Sequence, residues 1–313
     1  MEKWIKDYID FLFPTDNRRI DVDSAYRLKA KHTPKRLFKF RGTAKHNFDN
    51  FENDSLSLSE AFKLNDPFEC ALSVVSESFF FEQLREAFLK TMLGNNHFSE
   101  DDIKMMKKCS EDKFYEIVEN KSELFSKYPK GTLKSFSNKV IKDFCDSTND
   151  KACAQNLSNI YICALSETNK SPAMWAHYAD EFSGFCIEYD FSDFIWQPLW
   201  CSLNPVVYTN KIPDFSEYFS NNKYFNNLIS TYAAMIKAED WSYEREWRLI
   251  IPLGKQESGF FLVNAPRPKA IYLGLRISEE NENKLIAAAK NKNIKIFKMV
   301  RPSSTFEIEF KEI

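Results

Sequence analysis

The sequence predicts an α+β fold, with a mixed or mostly antiparallel central sheet and a helical insertion. Three observations predict it. Runs of strand length, alternating or apolar, fall toward both ends of the chain. Between them, residues 78–158 keep helical spacing. No internal repeat and no low-complexity linker interrupts the 313 residues, so 1–313 reads as a single domain and 78–158 as a helical insertion or subdomain within it.

Each element follows from a local pattern. Residues 1–13 read as an amphipathic helix stopped near Pro14, with Trp4, Ile5, Tyr8, Ile9 and Leu12 on one face. A second helix is expected at 22–31. "RLFKFR" (36–41) and "SLSLS" (55–59) alternate and read as strands. "NDPFE" (65–69) is a turn, because Asn, Asp and Pro all favour one. In the helical block, Ser99 followed by Asp102 marks a helix start. Strand signals return at 159–166, 184–190 and 204–208. Ser171 as N-cap with Pro172 in the first turn predicts a short helix to Asp180, and Gly184 releases the chain into the next strand. A helix is expected at 215–239 and another at 279–291. Strands are expected near 245–251, 259–263, 269–274, 294–299 and 305–310.

Composition narrows the function. The formal net charge is −2, so bulk charge gives no sign of nucleic-acid binding. Only 7 glycines are present, with no G-x-G-x-x-G and no G-x-x-x-x-G-K-[ST], which disfavours a Rossmann dinucleotide site and a P-loop. The seven cysteines form no C-x-x-C and read as reduced core thiols. No apolar stretch approaches the ~20 residues of a membrane span, and the N-terminus lacks a signal-peptide core. The expectation is a cytoplasmic protein without a membrane partner.

Two segments carry the candidate chemistry. In "WSYEREWRLII" (241–251), a strand would put Glu244, Glu246, Arg248 and Ile250 on one face. The two carboxylates would then lie about 7 Å apart, a costly arrangement unless a cation or a substrate sits between them. A partly exposed strand with solvated ion pairs is the plainer reading. In "ALSETNKSPAMWAHYADEFSGFCIEYD" (164–190), Ser166 ends a strand, and Trp175, His177, Tyr178 and Asp180 crowd a short helix. His177 is a candidate proton shuttle, although a hydrogen-bonding role at a helix–sheet junction is the commoner use of such a residue. His177, Asp180, Glu181, Glu188, Glu244 and Glu246 could in principle hold a metal, but no pair has a recognised spacing, so no metal residue is assigned. Arg41, at a strand end, could grip a phosphate. Asn65, Asp66 and Glu69 surround the rigid turn, where turn chemistry alone accounts for Asn, Asp and Pro.

Together, "LFKFR", "NDPFE", "LSE…MWAHYADEFSGFCIEYD", Val206–Tyr208 and "K…W-x-YEREWRLI" from Lys237 resemble a bacterial family of unknown function over about residues 36–300. That family is written with L-Y-K-Y-R, F-N-D-P-F-E, M-W-x-H-Y-A-x-x-x-x-G and W-x-Y-E-x-E-x-R. Here Leu64 replaces the Phe before Asn65. The resemblance implies a cytosolic bacterial protein from a mobile or defence island. A more distant resemblance, of order and residue type, is to ADP-ribosyltransferases, which place an Arg or His, then a Ser or Tyr, then a Glu on successive strands without a Gly-rich loop. Arg41, Ser166 and Glu244-Arg245-Glu246 occur in that order. This resemblance implies NAD as substrate, with Arg41, Trp175, Tyr178, Asn65 and Arg248 binding it and Glu246, Glu244, Ser166 and His177 in the chemistry. Its partner would be an unknown protein or nucleic-acid acceptor, in keeping with a defence or toxin effector. A metal-dependent nuclease or hydrolase and a non-catalytic nucleotide- or protein-binding module are the alternatives.

Overall fold

A computed structural model describes residues 1–92, 97–220, 223–254 and 260–313. The chain begins with helices α1 (Lys3–Leu12) and α2 (Val22–His32), then β1 (Leu37–Arg41), α3 (Lys45–Glu52) and β2 (Ser55–Glu60). The helical block follows as α4 (Glu77–Met92), α5 (Glu100–Met106), α6 (Glu111–Lys121) and α7 (Thr132–Asn159). Next come β3 (Ile160–Ser166), α8 (Pro172–Tyr178), β4 (Phe185–Tyr189), α9 (Pro198–Cys201), β5 (Leu203–Pro205) and β6 (Val207–Thr209). The remainder is α10 (Ser216–Ser220), α11 (Ile229–Met235), β7 (Ile236–Ala238), β8 (Glu246–Pro252), β9 (Phe260–Asn264), β10 (Ala270–Leu273), α12 (Glu279–Lys292), β11 (Lys295–Val300) and β12 (Glu309–Glu312). The fold is α+β.

Several expectations need correction, among them the last strand, which runs from Glu309 to Glu312 rather than near 305–310. The segment 215–239 is not one helix. It holds two short helices, and Ile236 turns extended into β7. The expected strand 204–208 is divided between β5, in the main sheet, and β6, paired parallel with β7. The strand containing Glu246 starts at that residue, because Glu239–Glu244 form a 3₁₀ turn and Arg245 adopts a left-handed conformation at φ 46°. Residue 259 of another expected strand lies outside the described residues.

The chain divides into two compact units. The helical unit, Leu72–Ala154 with Pro213–Asn222, has its own core, in which Phe81, Phe88, Phe98 and Phe114 meet largely edge to face. Its α5 opens with the expected reciprocal cap of Ser99 and Asp102.

The other unit holds the ten-stranded sheet, mostly antiparallel, with β10 and β11 parallel. Alternation sends Leu56 and Leu58 of β2, and Tyr161, Cys163 and Leu165 of β3, into the main core, where Leu285 and Ala289 of α12 also pack. The opposite parity, Ser57 and Ser59, Ala164 and Ser166, and Glu246 and Arg248, shares the other face.

The sheet parts on that face. One edge of β3 pairs with β8 along its whole length. Its other edge is divided: Ser166 bridges Phe38 of β1, whereas Tyr161 and Ile162 pair with Glu60 and Ser59 of β2. Ala164 lies between, opposite neither strand. The Lys39 ammonium meets the resulting need, donating to the Ala164 carbonyl at 2.7 Å.

Candidate active site

A cavity of about 220 Å³ opens at this parting. Lys39 and Arg41 belong by alternation to the Leu37 side of β1, yet both line it, because the gap lets their side chains through. A wider trough of about 790 Å³ runs beside it, with Ser57, Ser59 and Lys63 common to both. The trough is walled by α3 and by β9, where Phe260 and Leu262 are half exposed.

The end of β1 is fixed by an unusual bend. Asp180, Glu181 and Phe182 all have left-handed backbones, with φ of 45°, 51° and 71°. Such residues are costly outside glycine and persist where surroundings hold them. Here the Asp180 carboxylate accepts from the Thr43 backbone N–H and hydroxyl. Gly184 is packed so closely that a Cβ would strike the Arg41 carbonyl oxygen and come within 3.0 Å of the Ala179 backbone.

One wall of the cavity is a buried ionic network. Arg248 holds Glu69 with two parallel hydrogen bonds, at 2.7 and 2.8 Å, and its Nε reaches Glu246 at 2.7 Å. Lys237 Nζ lies 2.6 Å from Glu244 Oε2 and 3.6 Å from Glu69 Oε1, and it also donates to Glu246. Tyr178 donates its hydroxyl to Glu244 Oε1 at 2.7 Å. The Glu246 backbone N–H donates to Tyr208 Oη. The cation required between the two glutamates is therefore Lys237, delivered by β7. Within this network three carboxylates face two cations, so among its described members negative charge is in excess.

The acidities follow from that inequality. Burial, then the hydrogen bond and charge of Glu246, push the Glu244 carboxyl up to about 7. Glu246 moves the other way: burial alone would raise it, but Arg248, the Glu244 hydrogen bond and Lys237 hold it well below the usual carboxylate range. Lys237 is raised, since Glu246, Glu69 and Glu244 outweigh the burial that by itself would lower it. Burial lowers Lys39. Two carboxyls of opposite perturbation in one cavity are the arrangement used to divide base and charge-stabilising roles.

The expected site residues divide into two groups. Arg41, Asn65, Ser166, Tyr178, Glu244, Glu246 and Arg248 all line the cavity. Among the described residues Arg41 makes one long hydrogen bond, Nη2 to Ser57 Oγ at 3.4 Å, and no ion pair. Ser166 is fully buried and committed to backbone, donating to the Glu244 carbonyl at 2.6 Å and accepting from the Thr168 N–H. It shapes the 244–245 bend.

Trp175 and His177 stand apart. Trp175 is 0% exposed, its indole N–H donates to the Asn169 carbonyl, and its ring packs on Phe40, so it fills core and has no free face to stack on a ligand. His177 is exposed on the far side of α8 and does not line the cavity. The metal-ligand candidates do not converge either: Asp180 serves Thr43 and Glu188 accepts from Tyr272. Among the described residues no three His, Cys, Asp or Glu side chains form a metal-holding group.

Sequence reasoning named Asp66 and Glu69 only as neighbours of a rigid turn, and assigned no site role to Lys237 or Lys39. For Lys237 the signal was present, since two like charges on an apolar segment demanded a cation. For the others it was not, because their placement depends on the parting of the sheet. No described helix is long and apolar enough to cross a membrane. Comparison with curated proteins and with solved structures gives no match. Residues 174–249, which contribute Tyr178, Lys237, Glu244, Glu246 and Arg248 to the cavity, match the family described as a protein of unknown function, DUF2971.

Proposed function

We propose that the chain is an ADP-ribosyltransferase-like enzyme that cleaves the nicotinamide–ribose bond of NAD and passes ADP-ribose to a macromolecular acceptor or to water. One observation carries this reading: a guanidinium without an ion pair among the described residues, Arg41, opens on the same cavity as two carboxyls whose acidities are driven apart. In this reading Arg41 binds the pyrophosphate, and the trough beside the cavity takes the part of the dinucleotide that about 220 Å³ does not hold. The C–N bond breaks with its electron pair leaving on nicotinamide. Glu246, kept ionised by Arg248, stabilises the positive charge that develops on the ribose. The acceptor hydroxyl then forms the new bond to the ribose carbon, and its proton passes to Glu244. A defence or toxin role accords with such a transfer. The metal-dependent hydrolase reading has less to stand on, since Lys237 occupies the position between Glu244 and Glu246 that a divalent cation would take.

The test is nicotinamide release from NAD by the purified chain, alone and with protein or nucleic-acid acceptors. Release should fall about 100-fold or more in Glu246→Gln. Absence of release under every condition removes the reading.

A further inference from the structure

The cavity contains an acceptor with nothing to accept. Asp66, in the turn after β2, is 6% exposed and lines the wall. Its Oδ1 does ordinary turn work, taking the Phe68 N–H at 2.9 Å. Its Oδ2 is buried and has no hydrogen-bond partner among the described residues. Buried carboxylate oxygens are rarely left so, and each exception calls for a reason.

Asp66 and Arg41 thus line one small space, and each carries a group left unfilled among the described residues: an Asp66 oxygen buried behind the wall, and the Arg41 guanidinium. A bare anion would satisfy Arg41 but meet Asp66 unfavourably. A bare cation would do the reverse. A molecule with an anionic end and hydroxyl donors satisfies both, and a volume of about 220 Å³ suits a fragment of that size better than a whole dinucleotide.

We propose that this cavity is a sugar-phosphate subsite, in which Arg41 takes the phosphate and Asp66 Oδ2 accepts a hydrogen bond from a sugar hydroxyl. The inference deepens the NAD reading and rests on it for the identity of the nucleotide; the pairing of the two residues does not depend on nicotinamide release.

Calorimetric titration of the full chain tests it, with ribose 5-phosphate, its 2,3-dideoxy analogue and inorganic phosphate as probes. Ribose 5-phosphate should bind roughly tenfold or more tighter than phosphate, as a hydrogen bond to a charged group provides. The dideoxy analogue should bind no better than phosphate. In Asp66→Asn the amide oxygen still serves Phe68, so melting should be unchanged, while loss of the charged acceptor should sharply reduce the preference for ribose 5-phosphate. Equal binding of the three probes by the unmodified protein overturns the proposal, as does a preference left undiminished by Asp66→Asn. The dideoxy comparison needs no variant, so it decides even where Asp66→Asn fails to fold. A sugar preference without nicotinamide release keeps this subsite and removes the NAD reading.

Discussion

Replacing Lys237 with Met takes away the ammonium that stands among Glu69, Glu244 and Glu246 and leaves their charges buried. The expected loss is about 3–5 kcal/mol in urea denaturation at neutral pH. Adding Glu244→Gln to that variant should recover part of it, a coupling a double-mutant cycle reads directly. Glu244 also sets a pH dependence. Its folded pKa, about 7, lies above the ordinary 4.5. The folded form therefore keeps a proton that the unfolded chain loses between those values, and stability falls as pH rises through this window. Glu246, held low, acts in the opposite sense and loses its contribution only on acidification. Glu244→Gln should flatten the decline between roughly pH 4.5 and 7; an unchanged slope would show that Glu244 does not carry the extra proton. At this scale the sequence was partly legible. Arg41, Tyr178 and the two glutamates are polar groups on otherwise buried segments, which made them visible. Trp175 was misjudged because an indole in core and an indole in a pocket look alike in sequence, and only the neighbours Phe40 and Phe182 tell them apart.

At the level of elements, the connection from β3 through α8 to β4 packs against the end of β1 and so sets where Arg41 points. Gly184→Ala forces a methyl group toward the Arg41 carbonyl and the Ala179 backbone, neither of which can rotate away. The variant should melt lower than the wild type, and its binding of phosphate-bearing ligands should weaken more than that of Gly131→Ala, which is strained at φ 87° but has no atom near the added carbon. Strands and helices with strong periodicity were readable, β1, β2 and β3 above all. The region 215–239 was not. Its apolar residues are spaced acceptably for a helix, but β6 offers Ile236–Ala238 a parallel partner, and tertiary pairing prevails over local preference. The bend at Arg245 was equally hidden, since a left-handed arginine has no sequence mark; it is what brings Glu244, off the strand, to the same wall as Glu246.

For the molecule as a whole, the helical unit and the sheet unit each bury their own apolar residues. Phe114→Ala should destabilise the helical unit by about 3–5 kcal/mol, and hydrogen exchange should register the loss in α4 and α6 rather than in β3 and β8. A loss shared evenly by both units would mean that they unfold as one. The change of pattern near residue 78 was plain in the sequence, whereas the return of 213–222 to the same unit was not, because contact between distant segments leaves no local trace. The parting of β1 and β2 along β3 has a mechanical consequence. Where a sheet is continuous, widening it means tearing rungs; at Ala164 there are none toward β1 or β2, and the flexible Lys39 amine, with the long Arg41–Ser57 bond, serves as the strut. An incoming molecule that drew Lys39 toward itself would unfasten the aperture it was entering, so occupancy and gape would rise together.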